Sequence, residues 1–180
     1  MSAAFAEGAY PNWNYLLSAD LDYEPEGETY PFGVHICIVE IDPDTGKVEI
    51  VRFVTVDDCG HVINPLLAQG QVHGGLAQVI GQALYEEAVY DAEGTLSTGT
   101  LLDYTLPKAH QLPSYETNRT ETRTPLNPLG AKGIGEAATI GSTPATVNAV
   151  VDALSHLGIT HIDTPLTPEK IWREIQAAQT

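Results

Sequence analysis

The chain has 180 residues, 43% of them hydrophobic, with 24 acidic residues against 8 lysines and arginines and a formal charge of −16. That composition belongs to a globular chain able to bury a core, and the charge repels phosphate backbones and anionic membrane surfaces alike. No apolar run is long enough to span a bilayer and no secretory leader is recognisable, so a cytoplasmic location is expected, with neither nucleic acid nor membrane as partner.

Residues 1–32 carry many turn formers and acids and little apolar periodicity, and are expected to form an irregular lead-in that wraps a partner. From Gly33 the alternation of Val34, Ile36 and Ile38, a turn at Pro43–Gly46, and a return through Val48, Ile50, Val54 and Val56 predict a β-hairpin. Cys37 and Cys59 fall in its neighbouring strands, and without a disulfide framework both are expected to be buried free thiols. In NPLLAQGQVHGGLAQVIGQALYEE, the residues Val72, Leu76, Val79, Ile80, Ala83 and Leu84 recur at helical spacing and predict an amphipathic helix. Gly70, Gly74, Gly75 and Gly81 interrupt it at about 1 kcal/mol each relative to alanine, so another backbone or a ligand is expected to approach closely there.

A second hairpin is expected around Asp91–Gly94, then an irregular stretch with Pro107 and Pro113, then a strand within Tyr115–Arg123. Thr143 and Pro144 look like an N-cap and first-turn pair for a helix carrying Val147, Val150, Val151 and Leu154. Thr167 and Pro168 open a last helix in the same way, with Ile171, Trp172 and Ile175. The expected fold class is α+β, β-hairpins packed with amphipathic helices, in a unit covering residues 33–180.

Between the strand and the Thr143 helix lies GAKGIGE, residues 130–136. Gly133, Gly135 and Ala138 fit a loose dinucleotide fingerprint, but Pro125 and Pro128 precede them where a buried strand should stand, and Lys132 is followed by glycine rather than the hydroxyl of a phosphate loop. On physical grounds the segment is a nest of backbone N–H groups with one cation, suited to an anionic or oxygen-rich ligand. A plain glycine turn, with Glu136 as a first-turn partner of a helix dipole, accounts for the same residues. The six histidines never recur at zinc-ligand spacing, no Cys-x-x-Cys occurs, and no hydrolase elbow is present.

The stretch VDDCGHVINPLLAQGQVHGGLAQVIGQALYEEAVYDAEGTLSTGTLLDYTLP, followed by NPLGAKGIGEAATIGSTPATVNAVVDAL, closely resembles the C-terminal part of the molybdenum-binding large subunit of the xanthine oxidase, aldehyde oxidase and aerobic carbon monoxide dehydrogenase family. The resemblance runs from about Tyr30 to Ile175 and implies part of the bipartite molybdopterin-binding domain. It implies that Glu136 is the active-site base, that Gln71 hydrogen-bonds the molybdenum centre or its pterin, and that Lys132, Gly133, Ile134 and Gly135 lie against molybdopterin cytosine dinucleotide. It further implies oxidation or hydroxylation of a small molecule with water as the oxygen source, electrons leaving through [2Fe–2S] clusters and FAD on separate iron–sulfur and flavin subunits. A carboxylate raised in basicity by partial desolvation suits the role of base.

The family's subunit is several times longer than this chain, so the N-terminal portion of the molybdenum subunit is an expected partner, and the substrate (carbon monoxide, an aldehyde or an N-heterocycle) is left open. For Gln71 a helix-surface amide or cap is the alternative. For the whole chain the alternative is a cofactor-free structural or assembly module, against which stands the intact glutamate of GAKGIGE.

Overall fold

The structure, a computed structural model, describes residues 21–179. Most of the expected lead-in therefore lies outside the described residues; positions 21–31 form no regular element, and Tyr23 there donates its hydroxyl to the Leu126 carbonyl.

The first hairpin forms as expected. Strand β1 (Phe32–Ile41) pairs antiparallel with β2 (Val48–Asp58), and β3 (Tyr115–Thr120) lies parallel to β2 on its other side, giving the order β1-β2-β3. The alternation does not run through β2 unbroken. A bulge opposite Ile38 and Val39 leaves Val51 without a partner, so Val48 and Ile50 face the core while Val54 and Val56 face away from it. On β1 the inward face is Cys37, Val39 and Ile41; Val34, Ile36 and Ile38 are exposed at 66%, 52% and 45%. The outer face of this sheet is thus apolar and uncovered by the described residues.

Helix α1 (Pro65–Leu84) follows β2. Asn64 caps it, its side-chain oxygen accepting from the Leu66 and Leu67 amides at 3.1 Å each, with Pro65 preset for the first turn. Its expected apolar stripe is buried. Two of its four glycines meet neighbours: a Cβ at Gly75 would lie 2.8 Å from that of Ala138, and one at Gly81 would strike the Glu86 carboxylate. At Gly70 and Gly74 the space is open.

Helix α2 corrects the sequence reading. It runs Ala137–Leu154, so Thr143 and Pro144 lie inside it rather than at its start. Tertiary contacts override the local signal, because Ala137, Ala138 and Ser142 are all buried by the sheet and α1. Pro144 leaves the Ile140 carbonyl without its helical donor, but both residues are on the exposed side, where water can take that bond. Thr143, instead of capping, donates its hydroxyl to Gln82 at 3.0 Å.

The second expected hairpin is reduced to a turn. Asp91 Oδ1 accepts from the Glu93 and Thr95 amides, and a single bridge joins Tyr90 to Leu96, with no strand on either side. The last helix, α3 (Pro168–Ala178), forms as expected, capped by Thr167 and burying Ile171 and Ile175, with Trp172 at its edge.

One apolar cluster joins the layers: Phe53 from β2, Leu76 and Ile80 from α1, Val150 and Leu154 from α2, Leu166, Ile171 and Ile175 from the C-terminal stretch. Phe53 is fully buried and meets Tyr115 edge-on. Both cysteines are free thiols; burial pushes the Cys37 thiol up to about 11, partly offset by the Thr146 hydroxyl. Among the described residues, no helix is long and apolar enough to cross a membrane.

Candidate active site

The site is built where β2 ends. After Asp58 the chain turns through Cys59 and Gly60 into the α1 cap, and the 130–132 segment returns alongside: Lys132 N donates to the Cys59 carbonyl at 2.7 Å, His61 N to that of Gly130 at 3.0 Å, and Gly60 bridges Ala131. Gly130 makes the sharp turn, with φ of +69°, and the Asn127 side chain closes the loop on both polar atoms of Ala131.

Between this segment and the first two turns of α1 is a cavity of about 310 Å³, open to solvent. Its lining includes Gln71 on the α1 side and Lys132, Ile134 and Gly135 on the other, so four residues singled out in the sequence line one cavity. Gly133 adjoins them and Glu136 is the N-cap residue of α2, exposed, with a side chain that bonds to nothing in the described residues. Gln71 is exposed in the second turn of α1; the cap is Asn64, so of the alternative readings for Gln71 the cap falls away and the helix-surface amide stands.

The segment from Gly133 to Glu136 has two properties that suit a bulky, oxygen-rich group. Its four backbone N–H groups have no acceptor among the described residues. A Cβ at Gly133 or Gly135 would meet no atom of the described residues within 4 Å, so among them the space beside the backbone is free. Neither glycine has a positive φ, so it is space and not unusual backbone geometry that they provide. Ile134, partly buried and packed against the core, pins the segment between two open glycines. The N-termini of α1 and α2 both border the site and favour negative charge there.

The ammonium of Lys132 is engaged within the protein. It lies 3.1 Å from Asp58 Oδ1 and 4.6 Å from the centre of the Phe32 ring, in a side chain only 10% exposed. Burial opposes charge on Asp58, but the Gly60 amide, Lys132 and the Thr122 and Thr120 hydroxyls outweigh it and hold its carboxyl down at about 2. Glu136, by contrast, is exposed, and none of the described residues withdraws it from water.

Sequence reasoning missed the support behind the site. His35 donates from Nε2 to Asp57 Oδ1 at 2.9 Å, while Ser142 Oγ is 2.5 Å from Nδ1 of the same ring. His35 and Asp57 are nearly solvent-free and Ser142 is fully buried, so this Ser-His-Asp array cannot act as an exposed nucleophile. A smaller cavity of about 110 Å³, lined in part by Asp57, Cys59 and Ile134, lies behind the segment, and Asp57 Oδ2 has no partner among the described residues. The legible signal was Asp57-Asp58 itself: two acids closing a strand of Val, Phe and Thr.

The family model described as the molybdopterin cofactor-binding domain matches residues 4–113. The chain belongs to that family and corresponds to part of a molybdenum-binding large subunit of the xanthine oxidase family. It is 44% identical over 154 residues to the carbon monoxide dehydrogenase large chain of Hydrogenophaga pseudoflava, covering 86% of this chain and 19% of that protein. To the 6-hydroxypseudooxynicotine dehydrogenase complex subunit gamma of Paenarthrobacter nicotinovorans it is 42% identical, over 89% of this chain and 20% of the relative. Quinoline 2-oxidoreductase from Pseudomonas putida 86 superposes with a TM-score of 0.86 at 43% identity, over 97% of this chain and 22% of the other. The chain therefore spans about a fifth of the length of the relatives it matches.

Proposed function

We propose that this chain, as a C-terminal fragment or a separately encoded subunit, supplies one wall of the cofactor pocket and the general base of a molybdenum hydroxylase. The observation that carries this is the run of four backbone amides from Gly133 to Glu136 that, among the described residues, have no acceptor, with open space beside both glycines and a terminal carboxylate that pairs with none of those residues. A cofactor-free module has no physical use for that combination.

The group that fits this wall is molybdopterin, in its cytosine dinucleotide form, which when bound supplies two-electron oxidation of a small substrate with oxygen drawn from water. The amides of Gly133, Ile134, Gly135 and Glu136 donate to it, Gln71 adds a side-chain amide from α1, and Lys132 contributes through its place in the loop while its ammonium stays on Asp58. Glu136 accepts a proton at its carboxylate as the oxygen nucleophile is generated. The substrate belongs to the range that the relatives' names span: carbon monoxide, an aldehyde or an N-heterocycle.

Partner chains follow from what this one leaves open. The uncovered apolar sheet face at Val34, Ile36 and Ile38, and the exposed Ile63, Leu66 and Leu67 at the rim of the site, suit an obligate interface with the rest of the molybdenum subunit. Iron–sulfur and flavin subunits complete the electron path.

The test is Glu136→Gln in the co-expressed assembly. The variant keeps size and loses only the base, so turnover per molybdenum should fall by about 10² to 10⁴ with metal content nearly intact. Near wild-type turnover would remove Glu136 from the catalytic role; absence of molybdenum and pterin from the wild-type assembly would leave the structural module as the function.

A further inference from the structure

We infer that Asp57 and Asp58, consecutive at the end of β2, brace the Glu136 segment from both sides and act as positioning residues for the reaction at Glu136. Neighbouring strand residues point to opposite faces, so a pair of acids can reach two elements at once. Asp58 reaches forward to Lys132, just before Glu136, and its other oxygen accepts from Thr120 of β3 at 3.0 Å. Asp57 reaches inward through His35 to Ser142, in the second turn of the helix that Glu136 opens. Between these tethers the amides of 133–136 are open among the described residues, and the segment's own hydrogen bonds run only into the first turn of α2, where the Thr139 hydroxyl donates to the Glu136 carbonyl at 2.8 Å, so its position is fixed at its two ends and by Ile134.

Packing around the tethers leaves little freedom. A Cβ at Gly141 would come within 3.1 Å of the His35 ring, and one at Gly33 within 2.8 Å of the Val56 carbonyl. Both aspartates are essentially solvent-free. Buried charge is costly even when paired, and apolar residues of similar size would hold the same elements together without that cost. What apolar residues cannot do is fix direction and register, which hydrogen-bonded acids impose and which a base at a reacting atom requires.

The proposal rests on the reading of Glu136 as base, and its test separates the two. In the assembled holoenzyme, Lys132→Met cuts one tether and Ser142→Ala the other. Each should speed amide exchange across 133–136 and lower kcat per bound molybdenum by about tenfold, with KM little changed. Lys132→Arg, which keeps the ion pair, should restore most of kcat. If Lys132→Met does not assemble, Ser142→Ala decides alone, since it removes a single hydroxyl. Unchanged exchange in the variants overturns the brace, and faster exchange with unchanged kcat overturns its positioning role. Faster exchange and lower kcat here, combined with full activity in Glu136→Gln, would support the brace and sink the base.

Discussion

At its N-terminal end β2 turns Val48, Ile50 and Phe53 into the apolar cluster shared with Ile171 and Ile175; at its C-terminal end the same inward face carries Thr55 and Asp57, with Asp58 buried beside them. One strand thus runs from packing that requires only volume and hydrophobicity to packing that requires matched donors and acceptors. Hydrophobic burial tolerates small shifts, whereas a buried carboxylate holds its partners to hydrogen-bond distance or becomes a liability. The first end supplies stability, and the second spends part of it to hold the Glu136 segment in place.

Removing the apolar end gives the largest expected effect. Phe53→Ala deletes a fully buried ring that meets Tyr115 edge-on, and should cost about 3–5 kcal/mol of unfolding free energy. The check is the denaturant midpoint of the purified assembly. Turnover per molybdenum in the folded fraction should be nearly unchanged, because Phe53 lines neither cavity at the site; a selective loss of turnover at full stability would erase the contrast between the two ends.

The polar end should reveal itself in acid. Asp58 is held at about 2 in the folded chain, below its ordinary 3.8. A depressed carboxyl stabilises the fold above the unfolded value, and that stabilisation disappears as pH falls from about 4 through 2. Acid unfolding should therefore steepen in that window, and Asp58→Asn, weaker at neutral pH, should flatten the same limb. Identical acid limbs for the two proteins would mean that the Asp58–Lys132 pair does not matter to folding.

Those two ends were not equally readable in the sequence. The hairpin, the stripe of α1 and the Thr167-Pro168 cap follow from periodicity and local preference, and the structure contains them. The bulge at Val51 is invisible to a period-2 reading, which is why Val54 and Val56 were grouped with Val48 and Ile50 although they face oppositely. The start of α2 was misplaced because Thr143-Pro144 is a good local signal overridden by the burial of Ala137, Ala138 and Ser142. At the site, GAKGIGE and Gln71 were legible through a family likeness, and the structure gathers them round one cavity. Their supports were not: His35, Asp57 and Ser142 are far apart in sequence, and no spacing rule joins them.

The smallest expected effect on the fold sharpens the comparison inside GAKGIGE itself. Gly130 and Gly133 look alike in sequence but do different work. Gly130 has φ of +69° and a Cβ there would lie 2.8 Å from the Arg123 side chain, so Gly130→Ala should cost about 1–2 kcal/mol from left-handed strain alone. Gly133 and Gly135 have ordinary φ and open space, so Gly133→Val and Gly135→Val should change the stability of the apo chain by no more than about 0.5 kcal/mol. A branched side chain there would nevertheless stand in the space assigned to the cofactor and hinder its approach to the adjacent amides. Molybdenum per assembly should fall sharply in both valine variants and stay near normal in whatever Gly130→Ala folds. Two observables with opposite rankings make the result hard to imitate by general damage, since a damaged fold lowers both together. Full metal content in both valine variants would show that no ligand closes on this backbone, and would leave Gly133 and Gly135 as ordinary turn residues.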